Sequence, residues 1–125
     1  MSIQKRLKSF VYAFSGIKDL FKHTPNARIH LVLTGLSIIG GIYFDIKWIE
    51  WCFIILAISM VLAAEAFNSA LEYLTDLVSP DYHPLAGKAK DIAAGAVLLT
   101  AVGAACIGFI IFFPRILEIG KFFLS

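Results

Sequence analysis

A chain of 125 residues has room for one small domain, and 59% hydrophobic residues with a mean hydropathy of +0.82 is too apolar for a soluble one. A net charge of +2 is too small an excess to point to a nucleic-acid partner. The opening MSIQKRLKSF lacks the apolar core and small-residue cleavage site of a signal peptide, so residue 1 reads as a mature start. Cys52 and Cys106 both lie in apolar stretches and read as packing residues rather than a disulfide or metal site.

Residues 3–22 carry Ile3, Leu7, Phe10, Phe14, Ile17 and Phe21 at helical spacing, with Lys5, Arg6, Lys8, Lys18 and Lys22 between them. This pattern predicts an amphipathic helix lying in a membrane interface. Its plainest use is an anchor on anionic headgroups; the sharper one is a wall over a site at that interface. His23-Thr24-Pro25-Asn26 breaks the helix, with Pro25 forcing Thr24 into extended geometry. Arg28 and His30 then lead into a first span over 29–47, followed by a polar turn of Asp45, Lys47 and Glu50 flanked by Trp48 and Trp51 as interfacial aromatics.

A second span is expected over 51–78 and a third over 92–113, with Pro84 opening the turn that leads to it and Pro114 stopping it. Ala93-Ala94-Gly95-Ala96 and Gly103-Ala104-Ala105 offer small residues for close helix packing. Lys5, Arg6, Lys8, Lys18, Lys22, Arg28, Lys88 and Lys90 fall on one side of these spans, and only Lys47, Arg115 and Lys121 on the other. That bias predicts a cytoplasmic N-terminus and a cytoplasmic 81–91 loop.

The second span holds the informative residues. Glu65, Asn68, Ser69, Glu72 and Asp76 project at about 0°, 300°, 40°, 340° and 20° around a helix, one stripe roughly 100° wide. Counted from Trp51 at the outer interface, Glu65 lies about 21 Å along a hydrocarbon core of about 30 Å. Glu72 then falls near the inner boundary and Asp76 beyond it. A carboxylate at mid-bilayer costs about 2.5–3.5 kcal/mol, so such residues mark ion or proton pathways, helix pairing or catalysis. A proton relay would spread its acids through the full depth. These crowd into the inner half beside His83, Lys88 and Lys90, which suits a reaction between a water-soluble and a lipid reactant.

Phosphoryl transfer needs a carboxylate-held divalent metal, a cation at the phosphates and a group that orients the nucleophile. Glu72 with Asp76, Lys90 and Glu65 could supply these in turn. A non-enzymatic proton or ion pathway, or a membrane assembly subunit, stays open on composition and spacing alone. The phosphate site is not a P-loop, because Ala89 follows Gly87-Lys88 and Tyr82 stands where the first motif glycine belongs.

The run Glu65-x-x-Asn68-Ser69-Ala70-x-Glu72-x-x-x-Asp76, followed by His83 and then Lys90-Asp91, resembles the signature of the small bacterial membrane diacylglycerol kinase and undecaprenol kinase family. The resemblance extends over nearly the whole chain. It implies an all-α integral membrane protein of the bacterial inner membrane, with a surface helix and three transmembrane helices in a homotrimeric bundle whose active sites are shared between subunits. It also implies Mg²⁺ and ATP as reaction partners and a lipid alcohol as acceptor.

By position, Glu65 resembles the family's catalytic base at the lipid hydroxyl and Glu72 its metal-binding glutamate. Asn68, Ser69 and Asp76 resemble supports of that site. Lys5, Tyr12, Thr24, Glu72, Asp81, Tyr82, His83, Lys90 and Asp91 match nucleotide-contacting positions. Thr24 stands where many members carry a second metal-binding glutamate, and its neutral hydroxyl cannot replace that charge. Asn26-Ala27-Arg28-Ile29-His30 resembles the undecaprenol-kinase branch, and the apolar Trp51–Leu56 stretch also suits a polyisoprenyl chain.

Overall fold

The computed structural model describes residues 2–125, which form four α-helices and no strand among the described residues; Met1, included in the expected 1–125 domain, lies outside them. Helix α1 spans Ile3–His23, α2 Pro25–Tyr43, α3 Trp48–Val78 and α4 Pro84–Leu124. Thr24 breaks α1 from α2 with φ −110° and ψ 104°, the extended geometry that a following proline imposes. Arg28 then fastens the corner, its guanidinium donating to the Phe21 carbonyl at 3.0 Å and the Lys22 carbonyl at 2.8 Å. Those carbonyls are among the ones a helix C-terminus leaves without intrahelical partners.

Helices α3 and α4 are both long and apolar enough to cross a membrane, and they form the main packed pair. Helix α2 begins earlier than the expected 29–47 span and ends at Tyr43, because Asp45 adopts φ 48° to turn the chain. Asparagine and aspartate tolerate this left-handed geometry better than most residues. Glu50 belongs to the first turn of α3 rather than to the loop, where its Oε2 accepts the Lys47 backbone N–H at 2.8 Å. Trp51 is not a lipid-facing marker. Its ring covers Gly41 so closely that a Cβ there would come within 2.5 Å, and it packs on the cluster of Ile46, Ile54 and Ile111.

Two further expectations are corrected. Pro114 does not stop the third long helix, which continues through it to Leu124. A proline removes one N–H from the ladder, here the partner of the Ile110 carbonyl, and on the next carbonyl Arg115 adds a side-chain bond, its Nη1 donating to Ile111 at 2.6 Å. The same guanidinium meets both oxygens of Glu50, at 2.9 and 2.8 Å, which ties α4 beyond the proline to the start of α3. The cysteines are free and exposed, so neither packs a core. The core itself is thin: apart from Glu65, every buried residue is apolar, and most large apolar side chains face outward, as in a chain solvated by lipid.

Candidate active site

Because α3 is unbroken from Trp48 to Val78, the acidic stripe is continuous, but its members occupy different surroundings. Glu65 is 1% exposed, the one buried charged residue among those described. Neither of its carboxylate oxygens has a hydrogen-bond partner among the described residues. His30 on α2 approaches it, with Nε2 at 3.4 Å from Oε1, close but not aligned for a hydrogen bond. An unsatisfied buried carboxylate is costly, and a fold that keeps one has a use for it. The chain therefore covers this acid by itself. Glu72 and Asp76 remain exposed.

Toward the other end of α3 the polar groups pair up. The hydroxyls of Thr24 and Ser69 are 3.1 Å apart, which brings the α1–α2 corner onto the stripe. Asn68 Nδ2 points to Glu72 Oε1 at 3.5 Å, the long limit of a hydrogen bond, while Asn68 Oδ1 is buried without a partner. Lys90 on α4 donates to Asp76 Oδ1. This hydrogen bond raises the Lys90 pKa above its ordinary value and holds the ammonium charged. His83 caps α4, its Nδ1 accepting the Leu85 N–H at 3.1 Å, so the neutral ring carries its proton on Nε2. Asp76, Asp81, Tyr82, His83, Gly87 and Lys90 line one cavity of about 150 Å³ at the α3–α4 turn.

The structure thus joins Thr24 to Ser69, Asn68 to Glu72, and Asp76 to Lys90 and the 81–83 turn. It does not bring Lys5, Tyr12 or Asp91 to them. Lys5 and Tyr12 lie exposed on the N-terminal half of α1, Asp91 is exposed, and none of the three lines the turn cavity. No three His, Cys, Asp or Glu among the described residues form a ready metal cage. The oxygens offered to a hard cation are the exposed Glu72 carboxylate and the unpartnered Asn68 Oδ1 beside it. That donor set fits Mg²⁺, which keeps several waters and substrate phosphates in its shell.

Sequence reasoning passed over two contacts. His30 faces Glu65, and Tyr73 donates from its hydroxyl to Asp19 Oδ2 at 3.0 Å, binding α1 to α3. Helical periodicity gives the direction in which each residue points along its own helix. It gives no information about the helix opposite.

The family described as Prokaryotic diacylglycerol kinase matches residues 11–112, which include every site residue named above except Lys5. The chain belongs to this family. Within the prokaryotic diacylglycerol kinase family, it is 37% identical over 114 residues to an undecaprenol kinase of Bacillus subtilis (strain 168), covering 91% of this chain and 93% of that relative. A diacylglycerol kinase of Synechocystis sp. is 38% identical over 115 residues, covering 90% of this chain and 65% of that longer relative. The diacylglycerol kinase of Escherichia coli (strain K12) is 28% identical over 98 residues, covering 78% of this chain and 80% of the relative. Family membership accords with the membrane-compatible helices α3 and α4.

Proposed function

We propose that the protein is an ATP-dependent lipid kinase that moves the γ-phosphoryl group of ATP to the hydroxyl of a membrane lipid alcohol. The observation that carries this reading is the buried, unpartnered Glu65 carboxylate on the same helical stripe as the exposed Glu72 and the Asp76–Lys90 pair. One end of the stripe is dry and meets lipid; the other is wet and meets nucleotide. Glu65 accepts the hydroxyl proton of the lipid, the freed oxygen forms the bond to the γ-phosphorus, and the bond from that phosphorus to the β–γ bridging oxygen breaks to release ADP. Lys90, held charged by Asp76, binds the polyphosphate, and the Asp81-Tyr82-His83 turn contacts the nucleotide. Glu72 and Asn68 would hold Mg²⁺, which when bound offsets negative charge on the phosphates. Thr24 and Ser69 close the space beside Glu72.

Three crossings, with α2 as the first, put the N-terminus and the 81–91 loop in the cytoplasm of a bacterial inner membrane, the compartment that supplies ATP. The basic-residue bias supports that orientation. A homotrimer with shared sites is supported by the separation of Lys5 and Tyr12 from the turn cavity, since another subunit's α1 could bring them to it.

The acceptor we favour is undecaprenol. The outer end of α3, from Trp51 to Leu56, offers an ester-bearing lipid few polar donors, only the Cys52 thiol and the indole N–H of Trp51, whose ring packs on Gly41. The near full-length match to an undecaprenol kinase points the same way. Purified protein in mixed micelles is expected to consume ATP only with a lipid alcohol and Mg²⁺ present. Glu65→Gln is expected to abolish turnover while preserving the fold, because the amide keeps size but cannot take the proton. ATP-independent proton flux in liposomes without lipid phosphorylation would overturn the kinase reading. A kcat/KM ratio of tenfold or more in favour of diacylglycerol, about 1.4 kcal/mol in transition-state binding, would reverse the choice of lipid alone.

A further inference from the structure

We propose that His30 is the residue that positions Glu65 for proton abstraction. The inference rests on the kinase reading for its chemistry and on the helix packing for its geometry. Among the described residues, no other side chain offers Glu65 a donor: neither carboxylate oxygen has a hydrogen-bond partner, and only the His30 imidazole approaches, with Nε2 at 3.4 Å from Oε1. The neighbouring candidates are engaged elsewhere. Arg28 is turned back onto the Phe21 and Lys22 carbonyls, Ser69 pairs with Thr24, and the Asn68 amide points to Glu72.

His30 is itself held in place. The Arg28 fastening lies two residues before it, and the Thr34 hydroxyl donates to the His30 carbonyl at 2.8 Å, stiffening the turn that carries the ring. The ring and Thr34 are the polar members of a largely apolar cavity of about 300 Å³ between α2, α3 and α4, lined also by Ala57, Val61, Ala101 and Ala104 among others. Glu65 does not line that cavity, and the imidazole is the group that links the space to the carboxylate.

A small rotation of the ring converts the 3.4 Å approach into an Nε2–H···Oε1 hydrogen bond. That bond fixes one carboxylate oxygen and turns the other, with its lone pair free, toward the lipid hydroxyl. Apo geometry of this kind commonly tightens when substrate binds. The proton taken from the lipid ends on Glu65, and His30 donates a hydrogen bond throughout without exchanging its own proton.

The test compares wild type, His30→Leu and His30→Gln in the same micelle assay, with kcat and both KM values measured. Glutamine places an amide nitrogen near the position of Nε2 and keeps a donor. His30→Leu is expected to lower kcat roughly ten- to hundredfold with the KM for MgATP unchanged, and His30→Gln to recover most of the loss. Wild-type kcat in His30→Leu, or equal loss in both variants, would overturn the inference; a wild-type protein inactive on every lipid alcohol would instead sink the kinase reading. The pairing has its own readout in the ¹⁵N resonances of the three histidine rings. Glu65→Gln is expected to move the His30 Nε2 signal and leave those of His23 and His83 in place. An unmoved His30 signal overturns the inference whatever the activity.

Discussion

A single hydroxyl stands where the family resemblance leads one to expect a carboxylate. Thr24 Oγ1 lies 3.1 Å from Ser69 Oγ, one helical turn before Glu72, so position 24 faces the part of the stripe proposed to hold the metal but contributes no charge. A carboxylate in its place adds an anionic oxygen for a hard cation. Thr24→Glu is expected to lower the Mg²⁺ concentration for half-maximal turnover, read from a metal titration at saturating ATP; an unchanged or higher requirement would show that this side chain does not reach the metal. At this scale the sequence was legible wherever one helix sufficed. The alignment of Glu65, Glu72 and Asp76 on one stripe follows from a period of 3.6 residues. His30 was not legible as a partner, because its approach to Glu65 depends on how α2 packs on α3, and no spacing within either helix encodes that.

Helix ends proved harder to read than helix faces. Pro84 opens α4 and Thr24 is extended, as their local chemistry requires. Pro114 was expected to stop a helix that instead runs on, because the stop signal is local and the Glu50–Arg115 pair that anchors the continuing helix links residues 65 apart in sequence. The Arg115 hydrogen bond, followed by the Lys47 backbone N–H, holds the Glu50 carboxyl below its ordinary pKa. A depressed acid stabilises the fold above its unfolded pKa and loses that contribution as pH falls through its folded one. Thermal unfolding of wild type in detergent is therefore expected to weaken as pH drops through and below the ordinary carboxylate range, with Glu50→Gln showing a shallower decline. At neutral pH the same substitution should cost about 1 kcal/mol, the upper end for a partly exposed pair with bidentate geometry. Parallel pH profiles for the two proteins would show that the pair is not coupled to folding.

The whole molecule presents more apolar surface than one chain can cover. Gly35, Gly95, Gly103 and Gly108 have open space where a side chain would project, so these small-residue faces are free to take a neighbouring helix at close range. Part of the expected packing is internal all the same, since Ala93 on α4 is buried within the chain. With Glu65 already covered, the pressure to associate falls on these small-residue faces and on the exposed Glu72 near the inner boundary. Mass measurement in mild detergent is expected to find a trimer. A stable monomer with full activity would contradict shared sites.

The 41 residues of α4 extend about 61 Å, roughly twice the thickness of a bilayer's hydrocarbon. With residues 92–113 spanning the bilayer as proposed, the surplus divides unequally. The inner part, from Pro84 to Asp91, carries Lys88, Lys90 and Asp91 and cannot sink into lipid. The outer part beyond Pro114 carries Arg115, Glu118 and Lys121 before it ends in Phe122, Phe123 and Leu124, all at least 78% exposed and all apolar. Charged collars at both ends keep the span from sliding along the bilayer normal. A change in membrane thickness is then met by tilt, at a modest cost per ångström, and the acidic stripe stays level with the inner headgroups.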